Sequence, residues 1–132
     1  MSTLITPSDV VGFWKEAGSK KWFAHDEAFD ALFRQRFETA HFMAARRELD
    51  HWAGTPEGSL ALLILLDQFP RNLFRGQARA FAGDARACTL ALALIDSGHH
   101  LTLHPLQRWF AYMPLEHAED TGLQDRCVAL FE

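Results

Sequence analysis

A single tyrosine, two cysteines and no apolar run longer than Leu60 to Leu66 set the first limits on this chain of 132 residues. Such a run falls far short of the roughly 20 residues needed to span a bilayer. The N-terminus, Met-Ser-Thr-Leu-Ile-Thr-Pro, lacks both the basic stretch and the apolar core of a secretory signal, so the cytoplasm is the expected compartment. Cys88 and Cys127 share no CxxC spacing and fall on apolar helical stretches, where reduced cysteine acts as a small hydrophobe rather than a disulfide partner. The net charge of -4 comes without any basic block, which argues against nucleic acid as a partner. Missing too are a glycine-rich phosphate loop, a GxSxG nucleophile elbow and an HExxH zinc motif. No metal and no cofactor are therefore expected. No segment alternates apolar and polar residues for long enough to be a strand.

What remains is helical. Hydrophobic residues make up 48% and charged residues 23%, an ordinary globular balance, and eleven Phe and four Trp supply large side chains with no hydroxyl to satisfy. The length suits one domain over residues 1–132, built from six to seven helices in antiparallel pairs. Thr6-Pro7-Ser8-Asp9 opens the first helix, which Gly18 stops. Asp26 opens a second, with Phe29, Leu32, Phe33, Phe37 and Ala40 on one face and Asp30, Arg34 and Glu38 on a solvated stripe. Beyond His41 the phase is lost, so a break or a new short helix through Leu49 and Trp52 is expected. Thr55-Pro56-Glu57-Gly58 starts a helix that is apolar on every side from Leu60 to Leu66, and Pro70 should end it. A long helix from Gln77 or Ala78 to Ser97 follows, stopped by Gly98. A short one from Pro105 is closed by Pro114, and a last one begins near Glu119. The helices carrying Leu60 to Leu66 and Ala87 to Ile95 should form the core.

Function is best sought where a polar residue breaks the local pattern. Asp67 follows the all-apolar run near a helix end, where the macrodipole disfavours a carboxylate, so it needs a partner such as Arg71 or Arg75. With Gln68, Arg71 and Asn72 it makes either a structural clamp at the helix end or a site. Asp84 interrupts the stripe Phe81, Cys88, Ala91, Ile95, as a first-turn acid or as a partly buried group needing a partner. Glu116 and His117 precede the last helix, where a loop could present them to a cleft, and histidine exchanges protons near neutral pH. Arg108 could join them to hold an anionic group. Neither Ser59 nor Ser97 sits in a nucleophile context, and Cys88 has no basic neighbour that would make it a thiolate, apart from Arg86 two residues away on a different helical face.

Phe13-Trp14, Lys21-Trp22-Phe23 with Asp26 and Phe29-Asp30, Leu60 to Asn72, Phe81-Ala82, Asp84 and Pro114-Leu115-Glu116-His117 together resemble the bacterial family filed as "domain of unknown function 924". The resemblance implies an all-α, tetratricopeptide-like fold and no defined activity. It marks Asp67, Gln68, Arg71, Asn72, Asp84, Glu116, His117 and Glu119 as signature positions without roles. Ala118 stands where the family usually has Ser. The resemblance further implies that members continue into another helix, so that a surface left apolar here could be covered by a second copy of the chain. A homodimer is expected on that ground. Two functions stay open. One is a binding module whose groove takes a protein, peptide or small molecule. The other is an enzyme doing acid/base chemistry on an anionic substrate with Asp67, Arg71, Asp84, Arg108, Glu116 and His117. Whether these side chains converge decides between them.

Overall fold

The N-terminal helix is fixed by its first four residues. In the computed structural model, which describes residues 5–22, 25–117 and 121–131, Thr6 and Asp9 form a reciprocal capping box ahead of α1 (Pro7–Ala17). Gly18, at φ 76, ends it, and the short α2 (Ser19–Trp22) follows. Asp26 then caps α3 (Glu27–Ala45) by accepting the Phe29 N–H at 2.8 Å. The helix runs past His41 before it breaks at Ala45, and the short helix expected around Leu49 and Trp52 is a 3-10 turn over Asp50–Gly54. The loss of phase changes which face is buried: His41 and Ala44 point inward while Phe42 is 39% exposed. The face assigned to α3 also needs correcting, because Leu32 is 44% exposed and Asp30, placed on the solvated stripe, is only 9% exposed.

The end of α3 breaks a local rule. Glu48 N–H donates to the Met43 carbonyl at 2.9 Å and Arg47 N–H to the Ala44 carbonyl at 3.0 Å, the paired bonds of a Schellman turn. That turn needs a left-handed residue, ordinarily glycine, and here it is Arg47 at φ 65. Holding an L residue there costs about 1 kcal/mol. A 3-10 turn over Asp50–Gly54 leads into α4 (Pro56–Leu63), where Thr55 accepts the Gly58 N–H at 3.0 Å.

Pro70 does not end this helix. Phe69 stays in the α region, at φ -56 and ψ -51, and the chain passes through a π turn, Ile64–Gln68, into α5 (Phe69–Leu73). The reason lies in the hydrogen-bond ledger. Pro70 has no N–H and its ring crowds the carbonyl one turn earlier, so a continuous α pattern is broken at this point. The π turn widens the helix instead, with the Phe69 N–H reaching the Ile64 carbonyl. The Leu65 carbonyl, which Pro70 cannot serve, accepts from Nδ1 of His41 at 2.7 Å. His41 in turn stacks on Phe69 with ring centroids 4.6 Å apart.

The single helix expected from Gln77 or Ala78 is two pieces, a 3-10 turn over Ala78–Phe81 and α6 (Asp84–Asp96), parted at Gly83. A Cβ on Gly83 would lie 2.6 Å from the Leu66 carbonyl oxygen, so the backbone of this junction rests directly on the π turn. Gly98 stops α6 in the left-handed region as expected. Pro114 does not close the next helix: α7 runs Pro105–His117 with the proline inside it, one turn from its end and buried. The last helix, α8, spans Thr121–Phe131.

Leu60 through Leu66 are each at most 2% exposed, and α1, α6 and α7 pack around α4, which makes this the centre of the molecule. Ala87, Leu90, Ala91, Leu94 and Ile95 of α6 line the core as anticipated. An aromatic layer completes it on the α1 and α3 side. Phe13 stacks on Phe29 and Phe33 at 5.4 and 5.5 Å, and Trp14 meets Phe110 edge-on at 5.3 Å. Among the described residues the fold is all-α, and no helix is long and apolar enough to cross a membrane.

Candidate functional site

The π turn delivers Asp67 to a place where α5, α6 and α7 meet. Its side chain is 1% exposed, and its oxygens are satisfied by donors from three directions. Oδ1 accepts from Nδ1 of His117, at the end of α7, at 2.8 Å and from Nε of Arg71, on α5, at 3.2 Å. Oδ2 accepts from Nε2 of Gln68 at 2.9 Å. Arg71 extends the network to α6, where its Nη2 donates to both oxygens of Asp84 at 2.9 and 2.8 Å. Asp84 is the first residue of that helix, so the positive helix end supports it as well. Burial nevertheless holds the Asp84 carboxyl above the usual carboxylate range, with the Arg71 charge opposing the shift.

The network opens on one side. A cleft of about 690 Å³ is walled by Arg71, Phe81, Ala82, Asp84, Ala85, Cys88, Thr89 and His117, within the range of small-molecule sites. Phe81, 57% exposed, lies against the Arg71 guanidinium at 5.1 Å from ring centroid to Cζ. Since a carboxylate can only accept, the hydrogen shared between His117 and Asp67 sits on Nδ1. Nε2 is thereby left as the basic nitrogen. A buried acid that fixes the tautomer and orientation of a cleft-lining histidine is an arrangement that general acid–base catalysis can use.

Of the nine positions singled out in the sequence, four converge: Asp67, Arg71, Asp84 and His117. Gln68 supports them from within the core, 4% exposed, its amide also 3.9 Å from the Met113 sulfur. Asn72 is buried but lines no wall of the cleft, and its Nδ2 has no partner among the described residues. Arg108 belongs elsewhere. Its Nε and Nη2 donate to the Leu103 and Leu101 carbonyls at 3.1 and 2.7 Å, holding the end of the 3-10 turn His99–Thr102 that precedes α7. Glu116 is exposed and does not line the cleft. Its charge adds to burial in raising the Cys127 thiol. Neither Glu116 nor His117 is on a loop: they are the last two residues of α7, so helical geometry turns them to different sides. Glu119 lies outside the described residues. The Asp67 partner is Arg71 rather than Arg75.

Sequence reasoning did not assign Cys88 and Thr89 to the site. Cys127 is buried as a small hydrophobe, whereas Cys88 is half-buried and faces this polar cleft. The signal was present in the stripe Phe81, Asp84, Cys88 at helical spacing, but not which side of α6 meets His117.

Against known proteins, the family described as "Bacterial protein of unknown function (DUF924)" matches residues 10–132. No curated protein is found to match the chain. Among solved structures, that of a protein of unknown function from Agrobacterium tumefaciens is similar at 51% identity with a TM-score of 0.91. The likeness covers 94% of this chain and 70% of that one. A match over nearly the whole length, with a close structural relative, places the chain in this family of bacterial proteins of unknown function.

Proposed function

We propose that the chain is an enzyme acting on a small polar molecule in the Asp84–His117 cleft, with His117 as the general acid/base. The observation that carries this reading is the 2.8 Å contact between Nδ1 of a cleft-lining histidine and an Asp67 carboxylate that is 1% exposed. An ion pair between surface groups would contribute little and orient nothing. A buried acid holding an imidazole that is 18% exposed fixes the direction of proton transfer. Asp67 positions His117, and Arg71 holds Asp67 against Asp84 while presenting its outer edge to the cleft. The apolar face of Phe81 offers a surface for the body of the substrate.

Screening a pooled metabolite extract by thermal shift, and following hits by mass spectrometry, tests the proposal. The expected result is a metabolite consumed by the wild-type protein and bound but not consumed by His117→Gln. A hit that is bound and never converted would replace catalysis by ligand binding in the same cleft. Conversion that survives His117→Gln would remove the histidine from the mechanism.

A further inference from the structure

A second cleft, of about 370 Å³, lies on the other side of the Ala82–Gly83 junction, between the end of α3 and the start of α6. We propose that it binds a small organic anion, its phosphate or carboxylate group held by Arg47, Arg79 and Arg86 and its apolar body resting on Phe42. Among the described residues, no Asp or Glu lines this cleft. The acids adjacent to its lining in sequence are engaged elsewhere, Asp67 and Asp84 with Arg71 at 3.2 and 2.8 Å and Glu48 with Arg46 at 3.1 Å.

Each arginine carries a feature that packing alone leaves unexplained. Arg47 occupies the left-handed position of the Schellman turn, where glycine would relieve the strain. Keeping an arginine there puts a guanidinium at the rim at the expense of backbone comfort. Arg79 sits over Phe74, its Cζ 3.7 Å from the ring centroid, and donates Nε to the Gln77 amide oxygen at 2.9 Å, with no carboxylate partner among the described residues. Arg86 donates Nη2 to Asp50 at 2.7 Å, but its Nε is buried with no partner among the described residues. A buried guanidinium N–H without an acceptor is costly, so Asp50 alone does not satisfy Arg86. Three guanidiniums against the single carboxylate of Asp50 leave the cleft positive. Phe42, 39% exposed, gives it an apolar wall open to solvent.

Phenyl phosphate is the probe, with inorganic phosphate and neutral benzyl alcohol as controls, measured by calorimetry and thermal melting. Phenyl phosphate is expected to bind more tightly than either control. Arg47→Gly should weaken it by roughly tenfold, the loss of one charge-assisted bond, while melting at a higher temperature than wild type. Arg79→Met should weaken it similarly, and His117→Gln should leave it unchanged. Equal affinity in the wild type and both arginine variants would overturn the proposal, as would no phenyl phosphate binding at millimolar concentration. Loss of binding in His117→Gln would move the anion to the other cleft and overturn it equally.

Discussion

Asp67 and His117, separated by 50 residues in sequence, meet at 2.8 Å with the acid buried and the histidine at a cleft wall. Everything proposed for catalysis depends on that pairing, so it is the first to test. Asp67→Asn keeps the shape but can present an amide N–H to Nδ1, which favours the wrong tautomer. Turnover of the screened substrate should fall by about 100-fold or more. His117→Gln should fall by as much, and the double variant by little more than either alone, because the two residues act as a unit. Independent, multiplying losses would contradict the pairing.

Arg71 ties α5 to the π turn and to α6. Arg71→Ala leaves Asp67 buried beside fewer donors and both Asp84 oxygens without the Arg71 Nη2 donor. Urea unfolding should show a loss of about 3 kcal/mol, the magnitude seen when one member of a buried pair is removed. Arg71→Lys restores the charge but not the fork geometry and should recover only part of it. A loss within a few tenths of a kcal/mol would mean that the network contributes nothing to stability.

Asp30 is buried with Oδ1 unpartnered among the described residues, and desolvation raises its carboxyl above the usual range despite the Arg75 charge. The native state therefore binds the proton more tightly than the unfolded chain. Stability from this group is full below the ordinary carboxylate value, about 3.9, and is lost as pH rises through the higher native value. Asp30→Asn removes the charged form and should melt above the wild type at neutral pH, with the advantage shrinking in acid. An advantage that does not change with pH would refute this account.

His41 runs in the opposite sense. Burial lowers its imidazole below the usual range, against the Leu65 carbonyl bond that favours the charged ring. The unfolded chain then binds the proton more tightly, so stability should fall as pH drops below about 6.5. His41→Gln retains a donor for Leu65 and cannot titrate, so its melting temperature should depend less on pH between about 7 and 5. Some dependence should persist, because burial lowers His100 as well. Identical slopes would place the acid sensitivity elsewhere.

Gly83 separates the two clefts because nothing larger fits against the Leu66 carbonyl. Gly83→Ala should destabilise by about 1–3 kcal/mol by forcing the junction off the π turn. Gly12→Ala in α1, where an added Cβ meets nothing within 4 Å, should instead stabilise by about 0.5–1 kcal/mol. Equal effects would show that the junction is not tightly seated.

The sequence by itself determined the elements whose signals are local. Thr6, Asp26 and Thr55 cap helices because a side-chain oxygen reaches an N–H two or three residues on, and Gly18 and Gly98 stop them because they adopt positive φ. Leu60 to Leu66 announced the centre of the core, since a helix apolar all round has no side to give to water. Asp67, Arg71, Asp84 and His117 were legible as polar residues out of place. Only the tertiary structure decided the rest, because it turned on distant partners. Pro70 could remain helical because His41, from another helix, served the carbonyl that proline abandons. Asp30 left its stripe because neighbouring elements covered that side of α3. His117 found Asp67, and Arg108 and Glu116 did not, because crossing helices bring together faces that no periodicity within either helix specifies.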